Sequence, residues 1–157
     1  MAEFNVAVVS RPRIKIAGFK IATTMERAGQ DCPRIWEEKF GPVMDSFPAD
    51  PAYPNQSYGL SVMTGPDTFD YWAAMPIAES TPVPEGMEST YLEEGQFCEC
   101  KLASLAELGP AFTYIYGDWA AKNGKYTVEM AKPGYELYTD EYMKNGSLAV
   151  YCPVTKK

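Results

Sequence analysis

The stretch from Pro133 to Asp140, PGYELYTD, sets a carboxylate where a strand usually carries apolar groups. A Pro-Gly turn signal opens it, and the alternation that follows is that of a half-buried strand. Glu136 and Tyr138 share one face; Tyr135 and Leu137 share the other. Glutamate on the solvent side of an antiparallel strand is unremarkable. Glutamate among rings is different chemistry, because a desolvated counter-charge surrounded by π-faces suits a flat, lipophilic cation. The same carboxylate beside a phenol could also take a proton from water as a general base. The aromatic side chains that could join Tyr138 as walls are Trp119 and Tyr126, which flank the end of the preceding helix, and Phe97 and Trp72 in strands.

Other chemistries are excluded by what the sequence lacks. There is no histidine among the 157 residues. Ser-His-Asp and Cys-His catalysis, His-ligated zinc and the usual haem ligand are therefore absent. Cys32, Cys98, Cys100 and Cys152 contain no Cys-x-x-Cys pair, and Cys98 and Cys100 point to one side of a strand-like run. They read as reduced, packed cysteines, and neither a metal nor a cofactor is expected. The net charge of −7, with Lys and Arg scattered, argues against a nucleic-acid partner. No apolar run reaches the roughly 20 residues that span a bilayer, and no signal-peptide pattern opens the chain. A cytoplasmic protein with no membrane contact is the expectation.

The elements that would hold Glu136 follow from pattern. Residues 5–9 and 14–24 are rich in Val, Ile and Thr and read as strands. Asp31 can cap a helix in which Ile35, Trp36, Phe40, Val43 and Met44 recur at helical spacing. Phe47 to Pro54 is a proline-rich loop, and a hairpin follows around Gly65-Pro66-Asp67. Residues 79–89 have linker composition. Residues 92–102 then read as a strand, and Ser104-x-x-Glu107 as a capping box opening a helix through about Ala121. Residues 127–130, 134–142 and 147–154 complete the strands, with Lys144-Asn145-Gly146 as the last hairpin turn.

This order is strand, helix, strand, strand, stated twice: an α+β domain over residues 1–157, with one repeat over about 1–80 and another over about 81–157. Sliding the chain by 77 positions aligns Tyr58 with Tyr135, Leu60 with Leu137, Pro76 with Pro153, Gly18 with Gly95, Pro33 with Pro110 and Val6 with Val83. The count is no more than chance gives, but most matches fall at equivalent turns and strands. In this alignment Tyr58 and Leu60 repeat as Tyr135 and Leu137, as a core face would. On the other face Gly59, Ser61 and Met63 become Glu136, Tyr138 and Asp140. Core accounts for the first face, and a site for the second.

LEEGQF, AFTYIYGDW (Ala111 to Trp119), PGYELY and the C-terminal VYCPV together resemble the GyrI-like (gyrase-inhibitor-like) small-molecule-binding domain. The effector-binding domain of multidrug-sensing and AraC-type regulators is the same module. The resemblance spans nearly the whole chain and is strongest from Val83 onward. It implies two helices on a curved antiparallel sheet, related by a pseudo-twofold, with a ligand groove between the halves. It also implies that Glu136, before x-Tyr138, is the central acidic contact, and that Phe97 (after Gly95-Gln96) and Trp119 (at the end of the second helix) match the family's aromatic positions. The family's Ile-Pro-x-Gly stands here as Leu92-Glu93-Glu94-Gly95, without the turn proline. No helix-turn-helix or basic patch is left over, so the resemblance implies a stand-alone form that does not itself bind DNA.

The leading functional expectation is a binder of lipophilic cationic or aromatic small molecules, with Glu136 as counter-charge and Tyr138, Trp119, Tyr126, Phe97 and Trp72 as walls. The alternative is a hydrolase of strained, cyclopropane-bearing electrophiles, with Glu136 as general base and Tyr138 or Tyr126 as hydrogen-bond donor. A protein-interaction role, as in gyrase modulation, is the second alternative; no particular protein partner is indicated.

Overall fold

The computed structural model describes residues 4–129 and 132–157. Its nine strands are β1 (Val6–Arg11), β2 (Ile14–Thr24), β3 (Ser57–Met63), β4 (Thr68–Pro76), β5 (Glu88–Leu92), β6 (Gly95–Leu102), β7 (Tyr126–Val128), β8 (Gly134–Tyr138) and β9 (Leu148–Lys156). They pair antiparallel in the order β1-β6-β9-β8-β3-β4-β2-β5, with β7 added along β9. Two helical runs lie on one side. The first is α1 (Ala28–Arg34), widened into a π turn over Ile35–Phe40 and tightened into a 3-10 turn over Gly41–Ser46. The second is α2 (Leu108–Tyr114), a π segment over Ile115–Trp119 and α3 (Ala120–Lys122). A short α4 (Asp140–Asn145) joins β8 to β9.

The strand registers carry a pseudo-twofold. In the central ladder Tyr58 pairs with Leu137 and Leu60 with Tyr135, while Gly59 pairs with Glu136. Exchanging each residue for its counterpart 77 positions away returns the same ladder, and only the Gly59–Glu136 pair maps onto itself. The axis passes through that pair. The halves also exchange their first strands: β1 pairs with β6, and β5 with β2. The spacing there is different. Ile16 pairs with Pro76 and Phe97 with Pro153, so with the two prolines equivalent Ile16 corresponds to Phe97, and residues 81 apart are equivalent in these strands. Tyr58/Tyr135, Leu60/Leu137 and Pro76/Pro153 are thus equivalent positions, whereas Gly18/Gly95 and Val6/Val83 are not. A difference of four residues between the halves is taken up between the second strand and the third.

Period-2 alternation divides the core by face. Away from the helices, Tyr58, Leu60, Trp72, Phe97, Tyr135 and Tyr151 pack with Ile14, Ile16 and Leu92. Under the first helical run lie Ala17, Phe69, Tyr71 and Ala73 with Ile35 and Phe40. Under the second lie Cys98, Cys100, Val150 and Cys152 with Ala111 and Ile115. All four cysteines are free thiols.

Several local expectations are corrected. Residues 92–102 are not one strand: Glu93 and Glu94 form the turn between β5 and β6, and β5 starts inside the linker-like segment. The strand expected over 134–142 stops at Tyr138. Thr139 there accepts a hydrogen bond from the Glu141 backbone N–H and caps α4, which also replaces the tight turn expected at Lys144-Asn145-Gly146. Asp31 lies inside α1 instead of capping it, and receives the Thr23 hydroxyl at 2.9 Å. The capping box does not form: Glu107 accepts from the Ala103 backbone N–H at 2.6 Å, one residue before Ser104, and Ser104 makes no side-chain cap. Of the strand expected over 127–130, residue 130 lies outside the described residues.

Candidate functional site

Glu136 stands in the middle of β8, between Gly59 on β3 and Val150 on β9, on the face that the helices cover. It is 6% exposed. The Tyr138 hydroxyl donates to Glu136 Oε1 at 2.5 Å, and the Tyr71 hydroxyl, from β4, donates to the same oxygen at 3.4 Å. Trp36, on the first π turn, donates its indole N–H to the Tyr71 oxygen at 3.0 Å. Its ring meets that of Tyr138 edge-on at 5.9 Å, and Tyr142 meets Tyr138 from α4 at 4.9 Å. A chain of donors therefore runs Trp36 to Tyr71 to Glu136, under rings contributed by both halves.

Burial sets the protonation states. Loss of solvent raises the Glu136 carboxyl from the ordinary 4.5 to about 7, against the opposing pull of the Tyr138 and Tyr71 donors. Burial, with the carboxylate charge added, holds both phenols far on the protonated side. The Cys32 thiol on α1 is pushed up to about 12, first by burial and then by the charges of Glu136 and Asp31. Near neutral pH one proton can thus come or go at Glu136 while its neighbours keep theirs. That suits a counter-charge for a cation, and equally a base.

The expected walls divide three ways. Tyr138 touches the carboxylate. Trp119 and Tyr126 lie on the helix-covered face, packed with Tyr138 against the second-half core, and make no hydrogen bond to Glu136 among the described residues. Phe97 and Trp72 lie on the opposite face. Phe97 packs on the Tyr135 ring at 5.4 Å, and Trp72 carries the Lys20 ammonium at 5.5 Å. Each is one residue out of phase with the site, since their neighbours Cys98 and Tyr71 are the ones that face the helices. Tyr71, Trp36 and Cys32 were not expected at the site. The signal for Tyr71 was available: it is two residues from Ala73, which pairs with Gly59 across the β3–β4 hairpin.

Two cavities lie apart from the carboxylate. One, of about 370 Å³, is lined by Thr23, Thr24, Arg27, Asp31 and Thr64. The other, of about 330 Å³, lies beside Leu60, Phe97 and Tyr135 on the opposite face. Neither borders Glu136, whose hydrogen-bond partners are Tyr71 and Tyr138. No cluster of metal-ligating side chains occurs among the described residues, and none of their helices is long and apolar enough to cross a membrane.

The family model of the integron-associated effector binding proteins (Cass2) matches residues 7–154. SAV2435 bound to tetraphenylphosphonium has the same fold, with a TM-score of 0.75 at 11% identity over 96% of this chain and 94% of that one. A putative bacterial transcription regulation protein from Staphylococcus aureus MU50 gives 0.70 at 12% identity, over 98% and 99% of the chains. An integron cassette protein from the mobile metagenome of Vibrio cholerae gives 0.60 at 14% identity, over 96% and 95%. No curated protein sequence matches the chain. At these identities the structures speak for the fold, and the family model speaks for kinship: the chain belongs to the integron-associated effector binding proteins, a GyrI-like family.

Proposed function

We propose that this protein binds lipophilic cations of small-molecule size, with Glu136 as the counter-charge and Tyr138, Tyr71 and Trp36 as the surrounding rings. The observation that carries the reading is a carboxyl group 6% exposed, with aromatic side chains as its nearest partners and no cationic side chain bonded to it among the described residues. A cation entering beside it supplies the missing charge, and ring faces add attraction of about 0.5–2 kcal/mol each. The bound tetraphenylphosphonium of SAV2435, a protein of the same fold, is of this chemical class. Glu136 is 6% exposed, so a ligand of that size reaches it only when neighbouring side chains move.

Calorimetry with tetraphenylphosphonium and with a neutral triaryl analogue, triphenylphosphine oxide, tests this. Glu136→Gln should weaken the cation at least tenfold and leave the neutral compound nearly unchanged. Equal losses for both would remove the charge from the explanation. Because only the carboxylate pairs with a cation, wild-type affinity should rise with pH and level off above about 7.

A second reading is favoured by that same near-neutral value, which suits a general base, and by the phenols beside it, which could donate to a developing oxyanion. Here Glu136 would take the proton of a water attacking a strained, cyclopropane-bearing electrophile. Turnover of such compounds by the purified protein, lost in Glu136→Gln, would establish it; no turnover across a panel leaves the binder.

A further inference from the structure

The pair on the pseudo-twofold axis consists of one residue with a carboxylate and one with no side chain at all. A Cβ added to Gly59 would collide with the Tyr71 hydroxyl, and would stand 2.8 Å from Glu136 Oε1 and 3.0 Å from Tyr71 Cζ. Tyr71 has little freedom to yield. It is 3% exposed, its ring is packed in the first-half core, and the Trp36 indole holds its oxygen at 3.0 Å. The bare backbone at Gly59 is therefore a notch that the Tyr71 hydroxyl occupies. The conformation of Gly59 does not demand glycine, since it is not among the glycines with positive φ. Space demands it.

Among the described residues, both hydrogen bonds that reach Glu136 end on Oε1. Oε2 accepts none from the described residues, and it is not a buried atom lacking a partner among them. We infer that Gly59 is a positioning residue of the cation site: by lacking a side chain it admits the Tyr71 hydroxyl to Oε1, and the two phenols on that oxygen leave Oε2 as the one offered to the ligand. The inference rests on the reading of Glu136 as the counter-charge. It adds that Gly59 and Tyr71, which need not touch a ligand, decide how readily the carboxyl ionises and which oxygen it presents.

The titratable groups facing Glu136 are the Tyr138 phenol on its own strand, the Tyr71 phenol on β4 and the Cys32 thiol on α1. Its ladder partners Gly59 and Val150 carry none. The phenols donate to the ionised form and hold the carboxyl lower than burial alone would.

The experiment is a pH titration of the Glu136 carboxyl carbon by NMR in the full chain, which needs no ligand. Tyr71→Phe removes one donor without changing the ring, and should move the midpoint upward by roughly half a unit to one unit. Gly59→Ala should move it in the same direction, because the methyl expels the hydroxyl from its notch. A Tyr71→Phe midpoint equal to that of the wild type overturns the inference, as does a folded Gly59→Ala protein with an unchanged midpoint. Should Gly59→Ala not fold, the Tyr71→Phe midpoint alone decides, because an added methyl also crowds Glu136 Oε1 at 2.8 Å. The broader reading is judged separately, by tetraphenylphosphonium calorimetry on Glu136→Gln: retained binding there sinks the counter-charge whatever the titrations give.

Discussion

The two faces of the β3–β8 ladder obey different rules. On the face away from the helices the halves repeat each other: Tyr58 and Tyr135 meet edge-on at 5.4 Å, and Leu60 and Leu137 join the same cluster. On the helix-covered face the equivalent residues are Gly59 and Glu136, which share nothing except their place on the axis. A duplicated fold needs one symmetric core to join its halves. It can hold a single buried charge only if the symmetry breaks where that charge sits, because two carboxylates facing each other across the axis would repel. The symmetric face supports the fold, and the asymmetric face supports the chemistry.

The widest gap between the faces should appear on truncation. Tyr58 and Tyr135 are 0% and 2% exposed. Tyr58→Ala and Tyr135→Ala should each cost about 3–5 kcal/mol in urea unfolding, through lost burial and the cavity left behind. If the face is symmetric in energy as well as in register, the two losses should agree within about 1 kcal/mol. A small loss at one of them would show that only one half relies on this core.

Glu136→Gln should act in the opposite direction. A carboxyl raised from 4.5 to about 7 binds its proton more tightly folded than unfolded. Its stabilising contribution is complete below 4.5 and disappears as the pH rises through about 7. At pH 8 the wild type therefore carries an unfavourable buried charge of ~3 kcal/mol, which glutamine removes. Glu136→Gln should be more stable than wild type at pH 8 by up to that amount, and nearly equal at pH 4. Greater stability combined with lost cation binding is the signature of a residue kept for function. Destabilisation at pH 8 would place Glu136 with the structural groups instead.

This division was partly legible in the sequence. The odd acid, its face and its tyrosine partner follow from alternation within one strand, and alternation is a local property. Tyr71 was missed and Trp72 misplaced although the expected β3–β4 hairpin about Pro66 sets their phase. Trp36 was missed and Phe97 misplaced because the phase of more distant elements depends on a register that only the assembled sheet provides. The exchange of β1 and β5 between halves is also non-local; neither strand pairs with its own hairpin neighbour. The four-residue difference between halves concealed which N-terminal positions correspond. At Thr139 a local rule was present and was overlooked: a capping threonine followed by Asp140 and Glu141 favours a helix start over a continued strand.

A smaller effect is expected at Tyr138. Its hydroxyl stabilises the ionised carboxyl, so Tyr138→Phe should cost about 1–2 kcal/mol at pH 8 and less at pH 5, where Glu136 is protonated. Urea unfolding at both values measures the difference. A loss independent of pH would assign Tyr138 to packing, in common with the tyrosines of the other face.

The smallest effect concerns a place where the face away from the helices departs from symmetry. Arg11 donates to the Tyr135 oxygen at 3.1 Å and to the Tyr58 oxygen at 3.0 Å, and its guanidinium lies 4.6 Å from the centre of the Tyr151 ring. By strand register its counterpart in the other half is Leu92, a buried core residue. One half thus closes this end of the cluster with a cation and the other with an alkyl group. Arg11→Leu imposes the second solution on both. Tyr58 keeps a partner, because its hydroxyl donates to Gln56 at 2.7 Å, whereas the Tyr135 hydroxyl loses the only partner recorded for it among the described residues. Arg11 is half-buried, so solvent screens part of the change, and a loss of about 1 kcal/mol is expected in urea unfolding. A neutral or stabilising result would mean that shape alone joins the halves here.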